Sequence, residues 1–192
     1  YDAKKLGGVI DLRNTQITEI GGNAFNGTAI TGVILPSTLT SIGSLDSNMA
    51  VFGNCSNLAF IGTRDAAGDE NFLELPQSLT TIGKYAFSFS GSSPIYQKMK
   101  NDGLVVSIPA SVTTIKSSAF SNSQCSKNIF VLEDANSFED ADKDAFSNST
   151  YASYRPTVLF PNFSTYQNAD ETKKTAMASY ANLSYGVTLN FV

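Results

Sequence analysis

Residues that commonly carry out catalysis or bind metal ions are scarce in this chain. Its 192 residues include no His and only two Cys, Cys55 and Cys125. Without His, neither a Ser-His-Asp triad nor a Cys-His pair can form, because both need an imidazole as general base. Two Cys are too few for a disulfide framework or a zinc site. We therefore expect neither nucleophilic catalysis nor a zinc centre.

The acidic residues offer two further kinds of chemistry. Paired carboxylates can cleave glycosides, but the acid must be sheltered to raise its pKa, and none of them occupies a position that would be sheltered. The segment DADKD (140–144) alternates carboxylates as a calcium loop does, but Ala145 replaces the required Gly and Tyr151 replaces the final Glu. We interpret Glu133, Asp134 and Glu139 as a solvated acidic face. The sequence thus predicts no enzyme activity, metal site or cofactor.

Charge and hydropathy also limit the partners. The net charge is −4 and the pI is near 4.7, with no basic stripe, so neither nucleic acid nor an anionic membrane is an expected partner. No apolar stretch approaches the roughly 18 residues of a membrane span. We expect membrane association only through an anchor that these residues do not contain.

The elements that would position any site are set by an internal repeat. Four segments align, at 12–25, 35–52, 75–87 and 108–120, and a weaker fifth lies at 134–146. An apolar residue follows each repeat Pro after three residues, and Ile follows after six. The positions are Pro36, Leu39 and Ile42; Pro76, Leu79 and Ile82; and Pro109, Val112 and Ile115. A Phe closes each segment, at Phe25, Phe52, Phe87, Phe120 and Phe146.

Repeated segments of this kind predict a solenoid, since one coil cannot bury its own Ile, Leu and Phe, whereas stacked coils can. We expect Ile20, Ile42, Ile82 and Ile115 to form one interior column and the Phe residues another. Each Pro should end a short apolar strand, because it lacks an N–H. The alternative is a β-sandwich with coincidental similarity. We expect a single solenoid domain over 1–192, with repeats at about 9–32, 33–71, 72–103, 104–129, 130–155 and 156–192.

The repeat unit resembles the BspA-like leucine-rich-repeat family, most clearly in LPSTLTSIG…FGNCSNLAFIG (35–62) and LPQSLTTIGKYAF (75–87). The resemblance covers about residues 9–162. It implies a β-rich leucine-rich-repeat solenoid with short parallel strands, exported to the bacterial cell surface or beyond. It also implies a C-terminal capping helix, here at 170–183, and the residues after it alternate as a strand does. The N-terminal end shows no cap, so a missing segment or another molecule would cover it.

The two Cys have different predicted places in this frame. Cys55 fills the recurrent Cys position of the family, where Thr28 and Ser90 stand in other copies. We expect Cys55 to be a buried thiol and Cys125 a loop thiol. Two coils separate them by roughly 10 Å, which is too far for a disulfide.

Three insertions, at 62–71, 88–103 and 147–155, interrupt the repeat, and we expect them to lie outside its core pattern. Tyr and Arg are enriched in binding hot spots. The candidate ligand-binding residues are therefore Arg64, Tyr96, Lys98, Lys100, Tyr151 and Tyr154, although variable loops without a partner are the alternative. The predicted function is a non-catalytic surface or secreted module that binds a host or bacterial surface protein. A glycan-binding module and a structural spacer remain open.

Overall fold

A computed structural model describes residues 5–65, 72–121, 128–133, 140–141, 145, 157–160 and 188–191 of the chain. The predicted capping helix (170–183) lies outside the described residues, as do Cys125, Phe146, Tyr151 and Tyr154.

The described elements are twelve short strands and one helix. In chain order they are β1 (Gly7–Asp11), β2 (Glu19–Ile20), β3 (Ala29–Ile34), β4 (Ser41–Ile42), β5 (Phe60–Gly62), β6 (Thr81–Ile82), α1 (Pro94–Asn101), β7 (Val105–Ile108), β8 (Thr114–Ile115), β9 (Ile129–Leu132), β10 (Asp140–Ala141), β11 (Thr157–Phe160) and β12 (Thr188–Phe191). All paired strands run parallel. β12 confirms the strand expected near the C-terminus.

One face of the coils is an unbroken five-stranded sheet in the order β10-β8-β6-β4-β2, which we term the ladder face. Its register places Ile20 beside Ile42, Ile42 beside Ile82, and Ile82 beside Ile115. Each of these side chains is buried. The predicted Ile column is therefore confirmed, and with it the parallel-strand solenoid.

Hydroxyl groups reinforce the ladder face just before β4, β6 and β8. The Oγ1 of Thr40 donates to the carbonyl of Thr18 at 3.0 Å, and that of Thr80 donates to the carbonyl of Thr40 at 3.0 Å. Backbone N–H groups of the same coils donate to the same carbonyls. A β-branched residue with a hydroxyl suits this position because it favours extended backbone and also supplies a donor. This explains why the repeat carries Thr two residues before its Ile.

The turn after each Pro explains the three-residue offset in the repeat. The N–H groups of Leu39, Leu79 and Val112 donate to the carbonyls of Pro36, Pro76 and Pro109 at 3.2, 3.0 and 3.0 Å. The turn brings each apolar side chain into the core, where its exposure is 0%.

The Phe side chains form the second predicted column. Ring centroids are 5.6 Å apart for Phe25 and Phe52, 6.4 Å for Phe52 and Phe87, and 5.1 Å for Phe87 and Phe120, each pair being stacked. Such contacts add to the burial of apolar area that drives the stacking of coils. The prediction of a Phe column is confirmed for these four residues.

Cys55 lies beside the Phe column and is a free, buried thiol, as predicted. Its Sγ lies 3.4 Å from the Oγ1 of Thr28 and donates to the carbonyl of Phe25 at 2.8 Å. The contact confirms that Thr28 occupies the equivalent position one coil earlier.

Backbone close to the columns is tightly constrained at Gly83. A Cβ there would lie 2.6 Å from the backbone nitrogen of Ser44, which is closer than real contacts allow. Two residues before each of three repeat Phe residues the backbone has positive φ, at Asn23, Tyr85 and Ser118. A shared left-handed turn therefore leads into the Phe column.

The face on the other side of the Pro turns carries two separate sheets, and we term it the split face. One sheet has the order β1-β3-β5 and the other β12-β11-β9-β7. Pro36 and Pro109 follow β3 and β7 as predicted. Before Pro76, however, the apolar segment forms only one bridge, between Leu73 and Ile61. The strand that precedes this segment is β5, whose Ile61 lies twelve positions before Leu73 in the sequence.

The expectation that the 88–103 insertion lies outside the core pattern is wrong. Residues 94–101 form α1, which begins with Pro at its first turn and has Ser93 as N-cap. Ile95 and Met99 are spaced four apart, so they share one face of the helix, and both are buried in the main core. The insertion therefore extends the core instead of leaving it.

Candidate binding groove

One concave feature of the split face lies where its two sheets fail to join. On one side stand residues 72–75, which pair with β5 through Ile61: its N–H donates to the carbonyl of Phe72 at 2.8 Å, and its carbonyl accepts from the N–H of Glu74 at 2.9 Å. On the other side stands β7, which pairs with β9. No hydrogen bond between described residues connects 72–75 with β7.

A groove of about 390 Å³ occupies this junction and is lined by Thr63, Arg64, Leu73, Glu74, Leu75, Pro76, Gln77, Val105, Ser107 and Glu133. Its volume is within the range of small ligand sites. The groove contains both apolar and charged side chains, and Val105 at its edge is 57% exposed. It is therefore a surface to which a partner has direct access.

One wall of the groove carries an ion pair. The Nε of Arg64 lies 3.6 Å from the Oε2 of Glu74, and both side chains are nearly half exposed. The Oε2 atom itself is buried and has no hydrogen-bond partner among the described residues. A buried carboxylate oxygen without a donor favours the approach of an additional N–H or O–H group.

The opposite wall is organised by the carboxylate of Glu133, which follows β9. Its Oε1 accepts from the Oγ of Ser107 at 2.6 Å and from the Nε2 of Gln77 at 3.4 Å, and its Oε2 accepts from the N–H of Ala110 at 3.3 Å. Since all three donors are neutral, none of them offsets the negative charge. Glu133, predicted to belong to a solvated face, therefore also ties neighbouring coils together at the groove.

A second groove, of about 440 Å³, adjoins the first at the Pro turns. Its lining consists of Arg13, Leu35, Ser37, Thr63, Pro76, Gln77 and Ser78. Asp11 lies beside Arg13, which donates to it from Nε at 3.0 Å and from its backbone N–H at 3.0 Å. These hydrogen bonds lower the pKa of Asp11 from 3.8 to about 2, so the pair stays ionised at neutral pH.

The structure separates the predicted binding residues. Arg64 lies in the first groove, whereas Tyr96, Lys98 and Lys100 lie on α1 and do not line it. Tyr96 is half-buried against the core, and the Nζ of Lys98 lies 5.5 Å from the ring centroid of Phe72. α1 therefore presents basic side chains at the surface, next to the coil that forms one wall of the groove.

Sequence reasoning missed Glu74, Gln77, Val105 and Ser107 as groove residues. Their types are ordinary for exposed strand positions, so only the break between the sheets makes them a site. The signal that could have located the break is the pair of apolar segments at 58–62 and 72–75, where the other coils have one.

The side chains that line the groove do not form a metal-binding cluster. The described parts of the chain contain no cluster of three or more His, Cys, Asp or Glu side chains placed to hold a metal ion. Nor does any described helix have the length and apolar character needed to cross a bilayer.

Stacked coils, parallel short strands and continuous Ile and Phe columns define a solenoid of the leucine-rich-repeat class, which generally serves as a non-catalytic interaction scaffold. The model of the BspA type Leucine rich repeat region matches residues 9–65 and 69–155 in six copies. The chain belongs to this family, whose members are often surface-associated and used for protein interaction. No curated protein matches the chain.

Proposed function

We propose that this chain is a non-catalytic module of an exported or cell-surface protein that binds another protein, with adhesion to a host or bacterial surface protein as its role. The observation that carries the proposal is the accessible groove on the split face, built on coils that the core holds in fixed register. Specific protein interfaces need a preorganised surface with exposed apolar and polar groups. Val105, Arg64 and Glu74 provide both kinds of group within one groove.

Within this proposal, α1 extends the contact surface beyond the groove. Lys98 and Lys100 are basic and Tyr96 is amphipathic, so they suit the edge of a protein interface. A spacer would need neither an accessible groove nor a presented helix, and therefore no observation favours that alternative.

Binding of the full chain to a panel of extracellular-matrix and bacterial surface proteins, measured by biolayer interferometry, tests the function. We expect saturable binding to at least one protein, weakened by the split-face change Val105→Glu. The matched control is Thr81→Glu on the ladder face, which adds the same charge to another strand and should leave binding unchanged. Thermal unfolding would verify that both variants fold.

Two results would contradict the proposal. The first is the absence of saturable binding across the protein panel. The second is binding on a glycan array that is lost in Tyr96→Ala, because it would instead support the glycan-binding alternative.

A further inference from the structure

The two strand edges that border the groove carry backbone groups without partners among the described residues. Because Phe72 and Glu74 direct their bonding groups toward β5, the N–H and C=O of Leu73 and Leu75 face the opposite way, toward β7. The carbonyl of Leu104, just before β7, accepts from the N–H of Ile129, and that of Ile108 accepts from the N–H of Glu133, just after β9. The alternate residues Val105 and Ser107 therefore direct their N–H and C=O toward 72–75.

These opposing groups are not bonded to one another, as the separation of the two sheets shows. Unpaired strand edges form a template on which a further extended chain can pair. The ladder face shows the contrast, since β6 and β8 of the same two coils are paired in register. The opening is therefore a local feature of the split face at this coil junction.

The charges around the opening favour a basic side chain. Glu74 and Glu133 both line the groove, and Arg64 is the only Lys or Arg among the residues that line it. Glu133 is held by neutral donors, and the Oε2 of Glu74 has no hydrogen-bond donor among the described residues. A Lys or Arg side chain of a partner would supply a hydrogen-bond donor to the Oε2 of Glu74 and a positive charge beside Glu133.

We propose that this groove binds an extended peptide segment that carries a Lys or Arg, with the peptide backbone paired to the groove-facing N–H and C=O groups of Leu73, Leu75, Val105 and Ser107. The basic side chain lies beside the carboxylates of Glu74 and Glu133. The inference rests on the proposed protein-binding function and names the chemistry of the segment that is recognised. An extended peptide fits better than a sugar, since its N–H and C=O groups alternate at the spacing of the strand edges.

Selection of a random nonapeptide phage library on the full chain tests the proposal directly, because the library samples basic and non-basic segments alike. We expect enriched peptides to contain Lys or Arg, and N-methylation of alternate backbone nitrogens in a synthetic copy to weaken binding. Glu74→Gln removes the charge while keeping the shape, and it should weaken binding by roughly tenfold or more. The matched control is Glu19→Gln on the ladder face, which should leave the affinity unchanged.

A second pair of variants tests the backbone contribution. Val105→Pro removes the N–H that faces the groove, while the pairing of β7 with β9 does not use that group. We expect it to weaken binding by roughly tenfold, whereas Val105→Ala keeps the N–H and should retain most of the affinity. Circular dichroism and thermal unfolding would show that each variant remains folded, and Glu74→Gln gives an independent result if Val105→Pro does not fold.

Several outcomes would overturn the proposal. They are the absence of any enriched peptide, enrichment without basic residues, and affinity unchanged by N-methylation or by Glu74→Gln. If the full chain binds a surface protein equally well with and without Glu74→Gln and Val105→Pro, the protein-binding function stands and the groove is not its site. If no surface protein binds at all, the proposed function itself fails.

Discussion

The ladder face and the split face are built from the same coils but respond differently to insertion. Ile42 and Ile82 are 40 positions apart in the sequence, yet on the ladder face they are neighbours in one sheet. On the split face the same stretch supplies both β5 and the bridge at Leu73. Between these coils the split face therefore has one more strand position than the ladder face, where β4 pairs directly with β6.

This difference shows which part of a coil tolerates extra sequence. On the ladder face, two-residue strands pair directly, Thr hydroxyl groups bond to the preceding coil, and the backbone at Gly83 lies close to Ser44. These contacts leave no room for another strand. The split face accommodates the extra segment by separating into two sheets, and this separation creates the groove. The regular face therefore holds the fold together, and the irregular face provides the candidate site.

The largest effect should come from the core that lies beneath both faces. Phe87→Ala removes a ring that stacks on Phe52 and Phe120, and we expect it to lower the free energy of unfolding by about 3–5 kcal/mol. Urea denaturation measures the change. The control Met49→Ala alters a side chain that is 47% exposed and should change stability by less than about 0.5 kcal/mol. Equal effects would show that the Phe column is not a continuous core.

A methyl group added to the ladder face should be costly at one glycine and not at another. Gly83→Ala places a Cβ against the backbone of the preceding coil, and overpacking of this kind costs about 1–3 kcal/mol. Gly21→Ala adds the same group where no atom lies within 4 Å, so its melting temperature should stay close to that of the parent chain. Similar melting temperatures for the two variants would argue against the close stacking of coils.

Each Thr hydroxyl bond on the ladder face should contribute less to the free energy of unfolding than a buried Phe ring does. Thr80→Val removes the 3.0 Å bond to the Thr40 carbonyl and should cost about 1 kcal/mol. Thr113→Val removes a longer bond of 3.5 Å to the Thr80 carbonyl and should cost less. Chemical denaturation of both variants measures the order, and a reversal of that order would rule out bond length as the cause.

The smallest effect concerns Asp11, at the end of β1 on the split face. Because Arg13 lowers its pKa to about 2, the carboxylate contributes stability above the unfolded pKa near 3.8, and that contribution is lost as the pH falls through about 2. NMR titration should show the lowered pKa, and Arg13→Gln should raise it toward 3.8. An unchanged pKa in that variant would remove Arg13 as its cause.

The regular part of the molecule was predictable because each coil repeats the same burial requirement. Pro, Leu, Ile and Phe at constant offsets predicted the columns at Ile42, Ile82 and Phe87, as well as the burial of Cys55. The local sequence also indicates α1, because Ser93-Pro94 is a typical helix start and Ile95 and Met99 are spaced four apart. The helix was not predicted because these residues do not fit the repeat and were interpreted as a loop outside the core.

The groove was not predictable in the same way. Arg64 was selected for its residue type, whereas Glu74 and Val105 became site residues only through the separation of two sheets. That separation depends on which strands pair across coils, and pairing between distant segments is not specified by any local pattern. A repeat therefore predicts the core of a solenoid better than it predicts the surface where an insertion disturbs it.

Residue-resolved hydrogen exchange by NMR tests most directly whether the split face is open. The amides of Val106 and Ile108 should be protected by pairing with β9, while those of Val105 and Ser107 should exchange much faster because they face the groove and have no partner among the described residues. Amides on the ladder face, such as Gly83, should be protected like those of Val106. Equal protection of all four β7 amides would mean that the two sheets are joined, and would contradict the account of the groove.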